Sequence, residues 1–100
     1  MIQPQKFSSK LLRTIPLTSD TCQLDFEWEG EAVSFQAGQF FLLEVEDDRS
    51  KVTRAFSLVS PPSNTGLFSL CLKLLPGGRA SEYVRNLKPD VKVHFQGPFG

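Results

Sequence analysis

Apolar and polar residues alternate along most of this chain, and the alternation predicts β-strands. Every second side chain of a strand lies on the same face of its sheet, so strict alternation marks one buried face. Leu24 and Phe26, for example, are predicted to face a core while Asp25 faces away from it. A more ragged pattern at 6–16 and the stretch RAFSLVS at 54–60 predict two further strands. The strict pattern occurs at residues 24–28, 41–45, 68–74 and 91–95.

One segment has the spacing of a helix. After Arg79 the apolar side chains recur at intervals of three and four residues. Pro76-Gly77-Gly78 before this segment and Lys88-Pro89 after it are typical start and stop signals. Six strands and one short helix, without regular alternation of the two, predict an all-β fold, a small antiparallel barrel. The apolar positions of the predicted helix are Ala80, Tyr83, Val84 and Leu87.

Turn signals separate the predicted strands. FQAGQF at 35–40 predicts a glycine turn that leads into the next strand, and GPFG at 97–100 predicts a glycine–proline turn. Because both motifs contain residues that favour bends, each is read first as a simple connection. Further turn signals lie at 29–31, 46–51, 60–66 and 89–90.

Length and charge exclude several classes of function. One hundred residues indicate a single domain over 1–100. Eleven basic and eleven acidic residues give no net charge, so we expect no nucleic-acid partner. The longest apolar run, at 40–43, is far too short to span a bilayer, and the first residues lack the apolar core of a signal peptide. We therefore expect a cytoplasmic protein without a membrane span.

Cysteine and histidine residues are too few here to form a zinc or iron–sulfur site. The chain has two cysteines, Cys22 and Cys71, without CxxC spacing, and one histidine, His94. This excludes a convincing zinc or iron–sulfur site. Both cysteines lie in predicted strands, which favours reduced, packed thiols over a disulfide. His94 lies on the polar side of its strand, which predicts a solvent-facing side chain.

The glycine-rich turn before the predicted helix has two interpretations. Glycines let a ligand approach the backbone closely, and the first amides of a helix lack partners and carry the positive end of its dipole. With the charge of Arg79 and the hydroxyl of Ser81, residues 76–81 would suit a phosphate. The other interpretation is a strand-to-helix turn whose glycines only permit the bend. The motif alone favours the turn.

The stretch RAFS at 54–57 is equally open by itself. Alternation places Arg54 and Phe56 on the same face. An inward arginine beside an aromatic ring is costly unless an anion meets it. On the surface, the same arginine would be a solvated charge opposite Glu44 or Glu46. The stretch alone favours the surface interpretation.

Four short motifs together resemble one known family. In this order and with these separations they are similar to the flavin-binding domain of the ferredoxin–NADP reductase superfamily. The resemblance covers about residues 7–100 and implies a six-stranded antiparallel Greek-key β-barrel with one helix. The motifs are FQAGQF at 35–40, RAFS at 54–57, GGRAS at 77–81 and GPFG at 97–100.

The resemblance implies a role for each matching residue. Arg54 would bind the flavin phosphate, and Phe56 would lie against the isoalloxazine ring. Ser57 would hydrogen-bond near the reactive N5 atom, which is the catalytic position. Phenylalanine stands at 56 where tyrosine is commoner, so stacking is kept but the hydrogen bond of the phenol is lost. Lys73 would lie along the ribityl and phosphate chain, and the diphosphate would bind the amides of Gly78, Arg79 and Ala80 together with Ser81.

The same resemblance implies a flavin-dependent oxidoreductase. FAD is expected rather than FMN, because the turn at 76–81 offers a second phosphate site beyond Arg54. Family members continue into a nicotinamide-binding domain that these residues do not include, so NAD(P)H would bind another domain or subunit. Electrons would pass through the flavin to a ferredoxin-like iron–sulfur protein, a haem protein or a small molecule. A non-enzymatic β-barrel interaction module without a cofactor is the alternative.

Overall fold

The computed structural model describes residues 4–46, 48–60 and 66–100. Within these ranges the chain forms six strands and one helix, as the sequence predicts. Position 47 and positions 61–65 lie outside them, so the predicted turns at 46–51 and 60–66 are described only in part. The elements are β1 (Gln5–Pro16), β2 (Thr21–Trp28), β3 (Phe40–Glu46), β4 (Lys51–Ser57), β5 (Leu67–Lys73), α1 (Arg79–Arg85) and β6 (Lys92–Phe99).

All six strands belong to one antiparallel sheet, in the order β4-β3-β6-β1-β2-β5. The connections from β2 to β3 and from β5 to β6 skip neighbouring strands, which gives a Greek-key arrangement. The sheet curls until its two edges approach each other. Leu58, just after β4, forms an antiparallel bridge with Leu70 of β5, and the amide of Val59 donates to the carbonyl of Ser69 at 2.9 Å. The predicted antiparallel β-barrel with one short helix is confirmed.

The inward face of the sheet carries a closely packed aromatic core. Phe26, Phe41, Phe68 and Phe95 come from four different strands and are fully buried. The rings of Phe26 and Phe68 stack with centroids 5.3 Å apart, and those of Phe41 and Phe68 meet edge-to-face with centroids 5.1 Å apart. Phe7 of β1 joins them, with its centroid 4.9 Å from that of Phe41. Edge-to-face and offset contacts of this kind hold the curled sheet together from within.

The last strand continues through a motif that the sequence predicts as a turn. The GPFG motif at 97–100 is a turn by composition, but most of it belongs to β6. Gly97 pairs with Gln5 of β1, and Phe99 pairs with Phe40 of β3. The turn prediction was wrong because these residues extend the pairing of β6 with both of its neighbours.

Two other elements differ in detail from their sequence pattern. The register of β1 against β2 shifts between Leu11 and Arg13, and this irregularity explains why the alternation in β1 is ragged. The helix ends before Leu87, although that residue has the predicted helical spacing. The side-chain amide of Asn86 donates to the carbonyl of Glu82 at 2.9 Å, which occupies an acceptor of the last helical turn.

One carboxylate on the outward side of the sheet is buried. Alternation predicts that Asp25 faces solvent, yet the residue is only 1% exposed. The hydroxyl of Ser69 and the amide of Gln23 donate to its Oδ1 at 2.6 and 2.9 Å, and Nε of Arg13 lies 2.6 Å from its Oδ2. Burial raises the pKa of Asp25, but these hydrogen bonds and the charge of Arg13 outweigh it and lower the pKa below its usual value.

The cysteines and the histidine lie as the sequence predicts. Cys22 is a buried free thiol whose pKa is raised by burial, and Cys71 is a half-buried free thiol. His94 is exposed on β6. In the described part of the chain, no three His, Cys, Asp or Glu side chains are grouped to hold a metal ion. No helix in those residues is long and apolar enough to cross a membrane.

Candidate functional site

The sheet does not close along the full length of its two edges. Among the described residues, β4 pairs along its length with β3 and β5 with β2, and the edges meet at the bridge between Leu58 and Leu70. The gap beside this bridge and the turn into α1 border a depression of about 240 Å³, which we call the seam pocket. Its lining comes from β4 (Arg54, Ala55, Phe56), from β5 and the residues after it (Leu72, Lys73, Leu75) and from the start of α1 (Gly78, Arg79, Ala80, Ser81).

The seam pocket brings together every residue predicted to bind the cofactor except Ser57. Ser57 is the exposed last residue of β4, pairs with Phe40 of β3 and lies outside the lining. Three lining residues are absent from the sequence prediction: Ala55, Leu72 and Leu75. A small or aliphatic side chain in a strand or turn carries no sequence signal for a ligand, so the fold was needed to find them.

Arg54 and Phe56 lie on the inner side of β4. Each pairs with a fully buried residue of β3, Arg54 with Leu43 and Phe56 with Phe41. Residues directly opposite in an antiparallel pair share a face of the sheet. Phe56 is half-buried against the core, whereas Arg54 is exposed at the open edge. The strand therefore presents an aromatic surface and a charge side by side at the gap.

The surface interpretation of Arg54 assigned it the wrong partners. Glu44 lies opposite Thr53, and its carboxylate is 3.4 Å from the ammonium of Lys51. Glu46 lies opposite Lys51. Instead, Nη1 of Arg54 donates to the carbonyl of Thr53 at 2.9 Å. A carbonyl oxygen carries no net charge, so this contact does not neutralise the positive charge of the guanidinium.

The glycine-rich turn is held by hydrogen bonds at both ends. The amide of Gly78 donates to the carbonyl of Leu75 at 3.1 Å, and Gly77 between them has a φ of +75°. Proline followed by glycine with positive φ is the sequence of a type II turn. The amide of Leu75 donates to the hydroxyl oxygen of Ser81 at 2.7 Å, and Ser81 is only 4% exposed. These two hydrogen bonds define the shape of the turn.

A side chain at Gly78 would crowd this turn. An added Cβ would lie 3.4 Å from both the carbonyl oxygen of Leu75 and the hydroxyl oxygen of Ser81. Gly78 is also the residue before the first turn of α1, where no side chain caps the amides. The amide of Glu82 donates to the carbonyl of Gly78 at 2.9 Å and starts the helical pattern. The bare backbone therefore leaves the start of α1 open toward the pocket.

Positive charge borders the seam pocket from three directions. Arg54, Lys73 and Arg79 belong to its lining, and none of the lining residues in the described chain is acidic. The side chain of Arg79 extends to the turn before β4, where Nη2 donates to the carbonyl of Ser50 at 2.6 Å. Cations around a glycine-rich turn favour an anionic ligand with several oxygen atoms.

Lys73 forms an ion pair with a carboxylate at the rim of the pocket. Its ammonium lies 3.8 Å from Oδ2 of Asp20, and both side chains are more than half exposed. The amide of Leu74 donates to the carbonyl of Asp20 at 2.6 Å, which fixes the backbone of the two segments together. The hydroxyl of Thr18 and the charge of Lys73 lower the pKa of Asp20 below its usual value. Asp20 is therefore ionised at neutral pH beside a lysine of the pocket.

Comparison with known proteins gives one consistent match. The model of the oxidoreductase FAD-binding domain family matches residues 8–100. Ferredoxin–NADP reductase B of Sorangium cellulosum is 35% identical over 101 residues, which cover 100% of this chain and 41% of that protein. The glycine betaine monooxygenase reductase subunit of Pseudomonas aeruginosa is 40% identical over 67 residues, which cover 66% of this chain and 18% of that protein. The chain thus spans less than half the length of these relatives.

Solved structures agree in fold. The ferredoxin reductase in carbazole 1,9a-dioxygenase superposes with a TM-score of 0.85 at 28% identity, over 99% of this chain and 30% of that one. A cytochrome P450 reductase of Amycolatopsis superposes with a TM-score of 0.87 at 22% identity, over 100% of this chain and 30% of that one. The barrel described above is therefore a fold already seen in larger reductases.

Proposed function

The chain belongs to the family of oxidoreductase FAD-binding domains, and from this premise we propose that the seam pocket is where it holds FAD. The observation that carries the proposal is that groups from three elements line the same pocket. An arginine and an aromatic ring from β4, a lysine from β5 and a glycine-rich turn before α1 border one depression. These groups bind phosphate oxygens and flat rings. A volume of about 240 Å³ is below the usual range for a ligand pocket, so much of the cofactor would extend along the open surface.

In this proposal, Arg54 and Lys73 bind the phosphate groups from facing walls. A guanidinium presents a planar fork of donors that matches two phosphate oxygens, and Arg54 needs only to leave the exposed carbonyl of Thr53. Lys73 adds a point charge on a flexible side chain. Its exposed pair with Asp20, at 3.8 Å, holds it weakly. Both cations are therefore available to an anion without loss of a strong contact.

The start of α1 binds the diphosphate through backbone and hydroxyl donors. The oxygen of Ser81 accepts from Leu75, and its proton remains to be donated to a phosphate oxygen. Gly78 contributes by having no side chain, because its amide already donates to Leu75 within the turn. The amides of Arg79 and Ala80 belong to the first helical turn, which has no acceptors for them within the helix. The second phosphate site is the reason that FAD suits this pocket better than FMN.

Phe56 and Ser57 act on the ring of the cofactor. Phe56 offers a flat, apolar surface at the gap in the sheet. Ser57 follows it directly as the exposed last residue of β4, outside the lining of the pocket, and would contact the edge of the ring where the cofactor extends beyond the seam pocket. FAD supplies the two-electron and one-electron chemistry when it is bound. The task of Ser57 is to hydrogen-bond N5 and stabilise its protonation state.

The complete protein is proposed to be an NAD(P)H-dependent reductase in the cytoplasm. NAD(P)H would bind a separate domain or subunit, because this chain covers less than half of its relatives. The relatives include a ferredoxin–NADP reductase and the reductase subunit of a monooxygenase. By analogy, the acceptor is a ferredoxin-like protein, a haem protein or a small molecule. The alternative of a β-barrel module without a cofactor is not supported by the family match.

Titration of the purified chain with FAD, followed by visible absorbance, tests the proposal. We expect micromolar or tighter binding, and we expect Arg54→Met to weaken it about tenfold or more, since a hydrogen bond to a charged group contributes about 1.5–3 kcal/mol. Lys51→Met is the matched control, because Lys51 is an exposed cation of the same strand outside the pocket. A folded wild-type chain that binds no FAD, or equal losses in both variants, would contradict the proposal.

A further inference from the structure

The side chain of Arg79 connects the start of α1 to the turn that precedes β4. Nη2 of Arg79 donates to the carbonyl oxygen of Ser50 at 2.6 Å, and Nη1 donates to its hydroxyl oxygen at 3.2 Å. The two residues are 29 positions apart in the sequence. Arg79 is the first residue of α1, and Ser50 is the residue directly before β4. This connection therefore joins the two walls of the seam pocket at their ends.

The wall that α1 contributes needs such a connection. Gly77 and Gly78 precede the helix, and glycine restricts the backbone less than any other residue. The hydrogen bond between Leu75 and Ser81 closes the turn but lies within the same segment. Gly78 has no side chain with which to cap α1. Contacts with other segments therefore set the position of the helix start relative to β4. The two hydrogen bonds from Arg79 to Ser50 are one such contact.

We propose that Ser50 and the side chain of Arg79 are positioning residues, which fix the diphosphate-binding turn at its distance from Arg54 and Phe56. The inference rests on the proposed function and adds a task that differs from direct contact with a phosphate. The guanidinium of Arg79 is oriented by the two oxygen atoms of Ser50, and Arg54 and Lys73 supply the charge for the phosphates. A site that is held in its binding geometry loses less entropy when the ligand binds.

Loss of the contact between Arg79 and Ser50 should weaken mainly the binding of the diphosphate of FAD. Arg54 and Phe56 stand on β4 and bind the flavin end, whereas the turn at 76–81 binds the more distant phosphate. Displacing the turn should therefore weaken FAD strongly and FMN, which lacks that second phosphate, only slightly. A general loss of stability would weaken both cofactors in the same proportion. The ratio of the two affinities thus separates positioning from an unspecific structural effect.

A double-mutant cycle tests the inference. Dissociation constants for FAD and FMN are measured by fluorescence quenching on wild type, Ser50→Ala, Arg79→Met and the double variant. We expect Ser50→Ala to weaken FAD about threefold and Arg79→Met about tenfold, as for the loss of one or two polar contacts, with FMN changed less than about twofold. In the Arg79→Met background, Ser50→Ala should weaken FAD less than it does in wild type. The controls are Arg85→Met, on the same helix but paired with Glu82, and Ser34→Ala, an exposed serine before β3.

The cycle also distinguishes the ways in which the inference fails. If Ser50→Ala binds FAD like wild type, the hydroxyl of Ser50 does not position the turn and its role is overturned. The carbonyl of residue 50 still accepts from Arg79 in that variant, so the role of Arg79 is overturned if Arg79→Met weakens FAD and FMN in the same proportion. Equal effects of Ser50→Ala in both backgrounds would overturn the positioning role as well. If folded wild type binds no FAD, the proposed function itself is wrong. Should Arg79→Met not fold, Arg79→Lys replaces it, because lysine keeps the charge but lacks the planar fork that donates to both oxygens.

Discussion

The barrel wall formed by β3, β6 and β1 and the seam between β4 and β5 are both made of alternating strands, but they differ in pairing. In the wall, β6 has a hydrogen-bonded neighbour on each side, and its inward residues Val93 and Phe95 are fully buried. At the seam each edge strand has one neighbour along its length, Phe56 is half-buried and Arg54 is exposed. Where strand pairing stops, side chains and backbone groups remain accessible to a ligand. Within the described chain, the candidate site thus lies where the two edge strands of the barrel, β4 and β5, are joined over only part of their length.

The largest contrast should appear between two phenylalanines. We expect Phe68→Ala to lower the free energy of unfolding by about 3–5 kcal/mol, because Phe68 is fully buried among aromatic rings. Phe56→Ala should lower it by only about 1–2 kcal/mol, since its ring is partly exposed, but should weaken FAD binding about tenfold. Urea unfolding and FAD titration measure the two effects. Equal losses of stability would show that the ring of Phe56 is packed as closely as the fully buried ring of Phe68.

A substitution at the end of β6 should destabilise the wall. Gly97 has a φ of +153°, and an added Cβ would lie 2.6 Å from Cδ1 of Phe41. We expect Gly97→Ala to lower the free energy of unfolding by about 2–3 kcal/mol through this overlap and the strained backbone. Gly38→Ala is the control, because Gly38 also has positive φ but no atom within 4 Å of the added Cβ. If both variants lose the same stability in urea, the contact with Phe41 is unimportant.

The buried carboxylate of β2, Asp25, should make a pH-dependent contribution to stability. We expect Asp25→Asn to lower the free energy of unfolding by about 1–3 kcal/mol at pH 7, since it weakens the contacts with Ser69 and Arg13. The folded-state pKa of Asp25 lies below its usual 3.8, so this stabilisation is present above that value and is lost as pH falls through the folded-state pKa. The difference between wild type and Asp25→Asn should therefore shrink in acid. A difference that is constant from pH 7 to about pH 2 would argue against an ionised, stabilising Asp25.

The smallest expected effects are at the rim of the seam pocket and have opposite signs. Asp20→Asn should strengthen FAD binding about twofold, because it removes a negative charge and releases Lys73, whereas Lys73→Met should weaken it by a similar factor. Both effects should diminish at high salt, since these side chains are exposed. Titrations at low and high salt measure them. A change of the same sign in both variants would mean that Lys73 does not contribute its charge to the pocket.

The fold was predictable because burial follows the alternation of side chains. The inward positions of β2, β3 and β5 are the apolar members of each pattern, and Phe26, Phe41 and Phe68 are buried as expected. Alternation describes only one face, however, so it assigned Asp25 to solvent although outer-face partners cover it. It also gave no reason to extend β6 through Gly97, since that pairing depends on strands distant in the sequence.

The candidate site was predictable only through the resemblance of its motifs to a known family. Taken alone, the pattern around Arg54 favoured a surface charge, and its predicted partners proved to be wrong. The roles of Arg54, Phe56 and Ser57 in binding remain predictions. Ser50 and Leu75 could not be found from the sequence, because a serine in a turn and a leucine after a strand are common. Their significance depends on which segments the fold places beside them.

The position of β6 in the sheet has a consequence for how the protein is made. Within the described sheet, β6 lies between β3 and β1 and joins the pair β3–β4 to the group β1–β2–β5. Synthesis proceeds from the amino terminus, so β1 to β5 all leave the ribosome before β6, the strand that connects the two groups. The walls of the seam pocket belong to both groups, with Arg54 on one side and Lys73 on the other. If the seam pocket holds FAD as proposed, a nascent chain should bind it only after β6 has been inserted between β3 and β1.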